Sequence, residues 1–473
     1  MALYTAVTRH VADSPRGPKI AAFFDLDRTL VAGFSATAFF QERLLSGRMS
    51  PRELGESVLG ALNFAAGRTG FSGLMSAAAA AYRGLAESAL EELGEEVFVK
   101  HLATQIFPES RALVRAHLER GHTVAIVSSA TPYQIAPAAR DLGIDHVLCT
   151  RLELEDGIFT GRVVAPTCWG EGKSTAARDF AAGREVDMSQ AYFYTDSADD
   201  LPLLEAVGHP RPLNPDRRLT GIAAERGWPI RRFESRGTPG LLDLLRTGLV
   251  YGSALPSALT GLGAGLLNNS RRQAVNLMIS TFGELGTAAS GVDLQIEGEE
   301  HLWSHRPAVF VFNHQSGIDA LLVAKLLRRD VVAVAKKEMQ ANPIFGPFFA
   351  AAGTVFIDRA DHDKAIESLR PAVDALERGL SIAIAPEGTR SPTPHLGRFK
   401  KGAFHIAMQG GVPIVPIVFR NALDALPKGA AVVRPATVEA VVLRPIPTDS
   451  WTSATLDEEI ARIRDRFLDV LES

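Results

Sequence analysis

The sequence predicts an α/β chain: an N-terminal doubly wound parallel sheet with an inserted helical cap, then a second α/β domain at the C-terminal end. Two observations predict this. Apolar runs too short for helices recur and each ends in residues able to carry chemistry. They are 19–24 before Asp25, 123–127 before Ser128, 191–195 before Asp196, 308–312 before Asn313 and 380–385 before Pro386. Between them lie longer stretches with helical spacing, several rich in alanine, which is the alternation of buried strands with crossover helices.

Composition narrows the function. A chain of 473 residues has room for two or three domains, and 46% hydrophobic with 22% charged residues is ordinary for packed cores. A net charge of −4 removes nucleic acid as a partner held by bulk electrostatics. The two cysteines, Cys149 and Cys168, offer neither a disulfide framework nor a metal spacing. The start of the chain shows no secretory pattern, so a reducing, cytoplasmic setting is expected. The expected boundaries are a mobile arm at 1–18, a first domain at 19–235, a linker with an apolar helical element at 236–292, and a second domain at 293–473.

In the first domain the run 19–24 ends in Asp25-Leu26-Asp27-Arg28-Thr29-Leu30. Two carboxylates two residues apart at a strand end repel, and a fold tolerates them best when a cation sits between. Further along come Ser128-Ser129 after a second strand, Lys173 in Gly170-Glu171-Gly172-Lys173-Ser174, and Asp196-Ser197-Ala198-Asp199-Asp200 after a third. Residues 33–107 carry helical spacing and no clear strand, as expected of a cap inserted after the first strand, with Arg68 and Arg83 as its candidate cations. These blocks, in this order, resemble the haloacid dehalogenase superfamily of phosphatases, in the branch that includes phosphoserine phosphatase. The resemblance implies Asp25 as the nucleophile that forms an aspartyl-phosphate and Asp27 as the general acid and base. It also implies Ser128 and Lys173 as phosphoryl ligands, and Mg²⁺ held by Asp25, the Asp27 carbonyl and Asp196 with Asp200 in support. Arg28 and Thr195 stand where that family often has glycine.

The second domain opens on Asn313-His314-Gln315-Ser316-Gly317-Ile318-Asp319, between an apolar strand and a helical pattern. A strand end holds an imidazole rigidly, and a nearby carboxylate fixes its tautomer, so His314 is the candidate base and Asp319 its orienting acid. Gly353-Thr354-Val355-Phe356-Ile357-Asp358-Arg359, Pro386-Glu387-Gly388-Thr389-Arg390-Ser391 and Gly411-Val412-Pro413 follow. Arginine suits bidentate phosphate contact, which points to Arg359 and Arg390. The ordered set resembles the 1-acylglycerol-3-phosphate acyltransferases over residues 290–445, giving a C-terminal α/β acyltransferase domain. The resemblance implies a glycerophosphate site lined by Gly353, Arg359, Glu387 and Gly388, with Thr389 and Arg390 in the same turn. It also implies a lysophospholipid acceptor and acyl-CoA or acyl carrier protein as donor.

The run 248–267 is uncharged over about the length of a membrane span, but its glycines and proline make it a poor spanning segment. It is expected either to dock on a membrane surface, at the cytoplasmic face as a peripheral or monotopic element, or to pack as a buried hairpin. The leading expectation is a bifunctional phospholipid-biosynthesis enzyme that acylates lysophosphatidic acid and hydrolyses a phosphomonoester. The alternative is an acyltransferase with a non-catalytic, regulatory first half.

Overall fold

The computed structural model describes residues 2–49, 54–55, 58–60, 70–343, 345–357 and 369–472. The chain divides into two compact units, Met1–Thr238 and Pro239–Ser473.

The first unit is built on β1 (Ala21–Phe24), β2 (Thr123–Ser128), β3 (His146–Cys149), β6 (Tyr192–Thr195) and β7 (His209–Pro212), ordered β3-β2-β1-β6-β7 and parallel throughout. Alternation along β1 sends Ala22 and Phe24 into one apolar cluster and Ala21 and Phe23 into another, so the strand is covered on both faces. The chain leaves β1 to one side for β2 and returns on the other at β6. That reversal opens a crevice beyond the carboxyl ends of the strands, where Asp25 and Asp196 emerge.

The cap holds the helices Ser35–Leu45, Phe71–Ala80 and Glu87–Val97. Arg68 lies outside the described residues, and Arg83 spends its Nε on the Thr160 carbonyl at 3.1 Å. An antiparallel hairpin, β4 (Arg151–Glu155) and β5 (Ile158–Val164), joins the cap helices, although the sequence reading placed no strand there. Its two-residue turn is Asp156-Gly157, both at positive φ, the conformation that a tight right-twisted hairpin requires.

The stretch 1–18 departs from the expected mobile arm. Ala2–Ala12 is a helix whose Val7 and Val11, one turn apart, are buried in the core of the first unit. His10 Nε2 lies 2.9 Å from the Tyr194 hydroxyl, which also meets His117 Nε2 at 2.8 Å.

The second unit is a seven-stranded sheet of β8 (Val292–Glu297), β9 (Val309–Phe312), β10 (Val331–Lys336), β11 (Val355–Ile357), β12 (Ser381–Ile384), β13 (Ile414–Arg420) and β14 (Ala436–Val442). The order is β11-β10-β12-β9-β13-β14-β8, with only the β13–β14 pair antiparallel. Because β9 and β12 are parallel neighbours, the loops that follow them, one with His314 and one with Glu387, leave the sheet side by side. The closing helix Leu456–Glu472 buries Leu456, Ile460, Ile463 and Phe467.

The expected linker belongs to this second unit as three helices, Leu241–Gly252, Ala254–Asn268 and Arg271–Ser290. Gly261 and Gly265 let the last two approach closely, since a Cβ at either would lie within 3 Å of Ala274 or Met278 atoms. Met278, Ile279 and Phe282 face the core. The opposite face is left bare, with Leu266 and Leu267 76% and 87% exposed and Leu255, Leu259 and Leu262 above half.

Candidate active sites

At the end of β1, Asp25 is buried and accepts from Lys173 Nζ at 3.0 Å. The same ammonium donates to Asp200 Oδ2 at 2.8 Å, and that oxygen takes a second bond from Thr195 Oγ1 at 2.6 Å. Burial alone would lower the Lys173 pKa, but Asp200 and Asp25 on either side raise it, so the lysine stays charged. Asp200 thus supports Lys173 through its Oδ2. Asp27 turns its carboxyl towards the cap, accepting from Ser35 N at 2.7 Å and Ser35 Oγ at 3.1 Å. Burial pushes Asp27 up to about 7. Ser128 is buried behind the site, its Oγ accepting from Ala130 N at 3.3 Å.

Burial and the nearby Asp25 push Asp196 up to about 7 as well. Among the described residues no three His, Cys, Asp or Glu side chains converge as a metal cluster. Asp25 and Asp196 nevertheless supply two repelling, buried oxygen donors at neighbouring strand ends. That pair suits a hard divalent cation that keeps several waters.

The Ser35 bonds to Asp27 yield a prediction. Both hydrogen bonds favour the ionised carboxyl, so losing the hydroxyl should raise the Asp27 pKa. Hydrolysis that needs the protonated acid fades as pH rises through that pKa. Ser35→Ala should move the alkaline limb of the pH–rate profile to higher pH, and an unmoved limb would assign the acid to another group.

In the second unit His314 Nδ1 lies 2.7 Å from Asp319 Oδ2. The same oxygen accepts from Gln315 N at 3.0 Å and Ser316 N at 2.9 Å, so one carboxylate closes the loop and starts the helix Asp319–Leu327. A carboxylate facing Nδ1 keeps the proton there and leaves Nε2 as the basic nitrogen. Asp319 is fully buried, and its Oδ1 finds no partner among the described residues. Three further ties hold the loop. Asn313 exchanges side-chain bonds with the Phe419 backbone at 2.7 and 2.8 Å, Ser316 Oγ donates to Leu426 O, and Ser391 N donates to His314 O.

Glu387, expected to line the substrate site, is held by two backbone amides. Its Oε1 accepts from His314 N and its Oε2 from Gly397 N, both at 2.7 Å, so the carboxylate clamps the catalytic loop to the turn after β12. Burial raises its pKa against the pull of those two amides. Gly388 is buried at φ +76, a position where a side chain would be strained. Thr389 is exposed, while Arg390 is half-buried, its Nη1 3.2 Å from where a Cβ on Gly317 would stand. Gly353 turns the chain at φ +79 before β11, which has two strands between it and β9, and no described contact joins it to His314. Arg359 lies outside the described residues. Lys401, beyond the turn after β12, pairs with Asp457 at 2.7 Å.

Asn313, Ser316, Ser391 and Gly397 had no role in the sequence reading, and neither did Ser35. Arg28 and Thr195 carried a signal, as departures from glycine, and both turn out to touch site carboxylates.

A family model of haloacid dehalogenase-like hydrolases matches residues 22–205. A phosphoserine phosphatase of Mycobacterium tuberculosis is 37% identical over 235 residues, which are 47% of this chain and 75% of that protein. The chain belongs to the haloacid dehalogenase-like hydrolases. Behind the hydrolase half it carries an acyltransferase domain, whose family model matches residues 293–420. There a 1-acyl-sn-glycerol-3-phosphate acyltransferase of Limnanthes alba is 38% identical over 179 residues, 38% of this chain and 63% of that protein. A solved 1-acyl-sn-glycerophosphate acyltransferase of Thermotoga maritima aligns with 49% of this chain and 97% of its own, at 24% identity and a TM-score of 0.40.

Proposed function

We propose that the chain is a bifunctional enzyme of phospholipid synthesis. The acyltransferase half would acylate lysophosphatidic acid from an acyl thioester to give phosphatidic acid. The hydrolase half would cleave a phosphomonoester with Mg²⁺. What supports the reading is that each half holds a full set of reacting groups: His314 on Asp319 in one, Asp25 on Lys173 with Asp27 beside it in the other.

In acyl transfer His314 Nε2 takes the acceptor's hydroxyl proton while the oxygen attacks the thioester carbonyl. Asp319 steadies the imidazolium, and the departing thiolate recovers the proton. Arg390, with Arg359, would hold the acceptor's phosphate. In hydrolysis Asp25 attacks phosphorus and Asp27 protonates the leaving alcohol, after which Asp27 takes a proton from the water that releases phosphate. A pKa near neutrality suits a group that must do both. A bound Mg²⁺ would neutralise charge on the transferring phosphoryl group.

The test follows thiol release, free phosphate and lipid products together from purified protein, Mg²⁺, oleoyl-CoA and lysophosphatidic acid. Thiol release lost only in His314→Ala and phosphate release lost only in Asp25→Asn are expected. Wild-type protein that releases no thiol with any lysophospholipid would defeat the acyltransferase reading.

The leucine face of Ala254–Asn268 would rest on the cytoplasmic membrane surface that supplies the acceptor. Each buried leucine is worth roughly 1.5–3 kcal/mol, about tenfold or more in affinity. Leu262→Asp with Leu266→Asp should therefore cut flotation with phosphatidylglycerol vesicles by about a hundredfold. Because both side chains are exposed, the melting temperature should hold. Equal flotation of the variant would sink the membrane contact.

A further inference from the structure

Arg28 sits one residue beyond Asp27 in a left-handed conformation, φ +56, that glycine adopts more easily. Its backbone is fixed from both sides: its N–H donates to Gly33 O at 3.2 Å, and its carbonyl accepts from Asn214 Nδ2 at 3.0 Å. The side chain is then directed inward. Arg28 Nη1 lies 3.1 Å from Asp196 Oδ2, and Asp196 is buried while the arginine is 40% exposed.

Two internal cations thus divide the site's acids. Lys173 answers Asp25 and Asp200, and Arg28 answers Asp196. Ionisation of Asp196 is opposed by burial and by Asp25, and of the two cations that favour it Arg28 acts more strongly than Lys173 and pairs with it directly. The arginine's charge is the kind of neutralisation that a bound divalent ion would bring to the same carboxylate. Arg28 also borders a cavity of 270 Å³ with Asn214, Arg232, Phe233 and Glu234.

We propose that Arg28 is a resident counter-cation for Asp196 that competes with the divalent ion and sets a high concentration threshold for loading the hydrolase half. It is a positioning residue: it touches neither the phosphoryl group nor the attacking carboxylate. The inference rests on the reading of that half as metal-using. With the Arg28 charge removed, Asp196 loses its directly paired cation and the ion binds more tightly, while the metal-free site is left with more repulsion.

The experiment is Mg²⁺ titration of the full, EDTA-stripped chain by isothermal titration calorimetry, with thermal melting before and after Mg²⁺. Wild type is compared with Arg28→Gln, which keeps the left-handed strain, and Arg28→Gly, which removes it. Both variants should reach half-saturation at about tenfold lower Mg²⁺, melt lower than wild type when stripped, and regain stability on loading. Tightening in Arg28→Gly alone would overturn the proposal, because the cause would be backbone relief and not charge. Wild-type binding that neither variant tightens would overturn it while leaving the metal reading intact. No Mg²⁺ binding by any of the three would overturn both.

Discussion

Replacing His314 with alanine should lower acyl transfer by about three to four orders of magnitude, the upper range for loss of a positioned general base. The size follows from how completely the loop is built around this imidazole. Its backbone N–H is held by Glu387, its carbonyl by Ser391 and its Nδ1 by Asp319. A group so constrained starts the reaction with little reorganisation left. The alanine variant keeps both backbone bonds, so the fold should persist and the melting temperature should move little. Asp319→Asn separates the partners further. Asn would present an amide N–H where Gln315 and Ser316 already donate, or turn its oxygen to them and face Nδ1 without the negative charge that steadies the imidazolium. Either outcome should cost activity by about a hundredfold or more, with the loss in kcat more than in KM. Thiol release by His314→Ala within tenfold of wild type would transfer the base role to another group.

The legible part of this molecule was what repeats or stays local. Short apolar strands that each end in a polar block located β1, β2, β6, β9 and β12, because a buried parallel strand must be apolar on both faces and the crevice must lie at its carboxyl end. His314 and Asp319 could be paired because only four residues of one loop separate them. The clamp that Glu387 makes was hidden for the opposite reason. Its partners, the amides of His314 and Gly397, come from two different loops, and only the adjacency of β9 and β12 brings them together. The N-terminal helix was hidden by its brevity: among its residues of described burial, Val7 and Val11 mark the face that enters the core. The hairpin β4–β5 had a usable cue in Asp156-Gly157 between alternating apolar residues. Thr195 and Arg28 show a different limit. A departure from glycine can be seen in a sequence, but the carboxylate it answers to is visible only in the fold.

Asp25→Asn should abolish hydrolysis, lowering it by roughly five orders of magnitude, the scale of losing a covalent nucleophile. It should leave acyl transfer unchanged. Stability should not suffer, and a small gain is expected. Burial already works against the Asp25 charge, and Lys173 keeps Asp200 as its counter-ion after the substitution. Lys173→Met is the informative contrast, because it would also silence hydrolysis but for another reason. Asp25 and Asp200 would then face each other in the interior without a cation, and breaking a buried pair from one side costs about 3–5 kcal/mol. For a unit of this size that corresponds to a fall of roughly 10 °C in melting temperature. The two substitutions therefore remove the same activity while moving stability in opposite directions. If Lys173→Met melts like wild type, the lysine is not the counter-ion that keeps these acids charged. If Asp25→Asn retains measurable turnover of a generic phosphomonoester, the nucleophile lies elsewhere and the first half works by a different route.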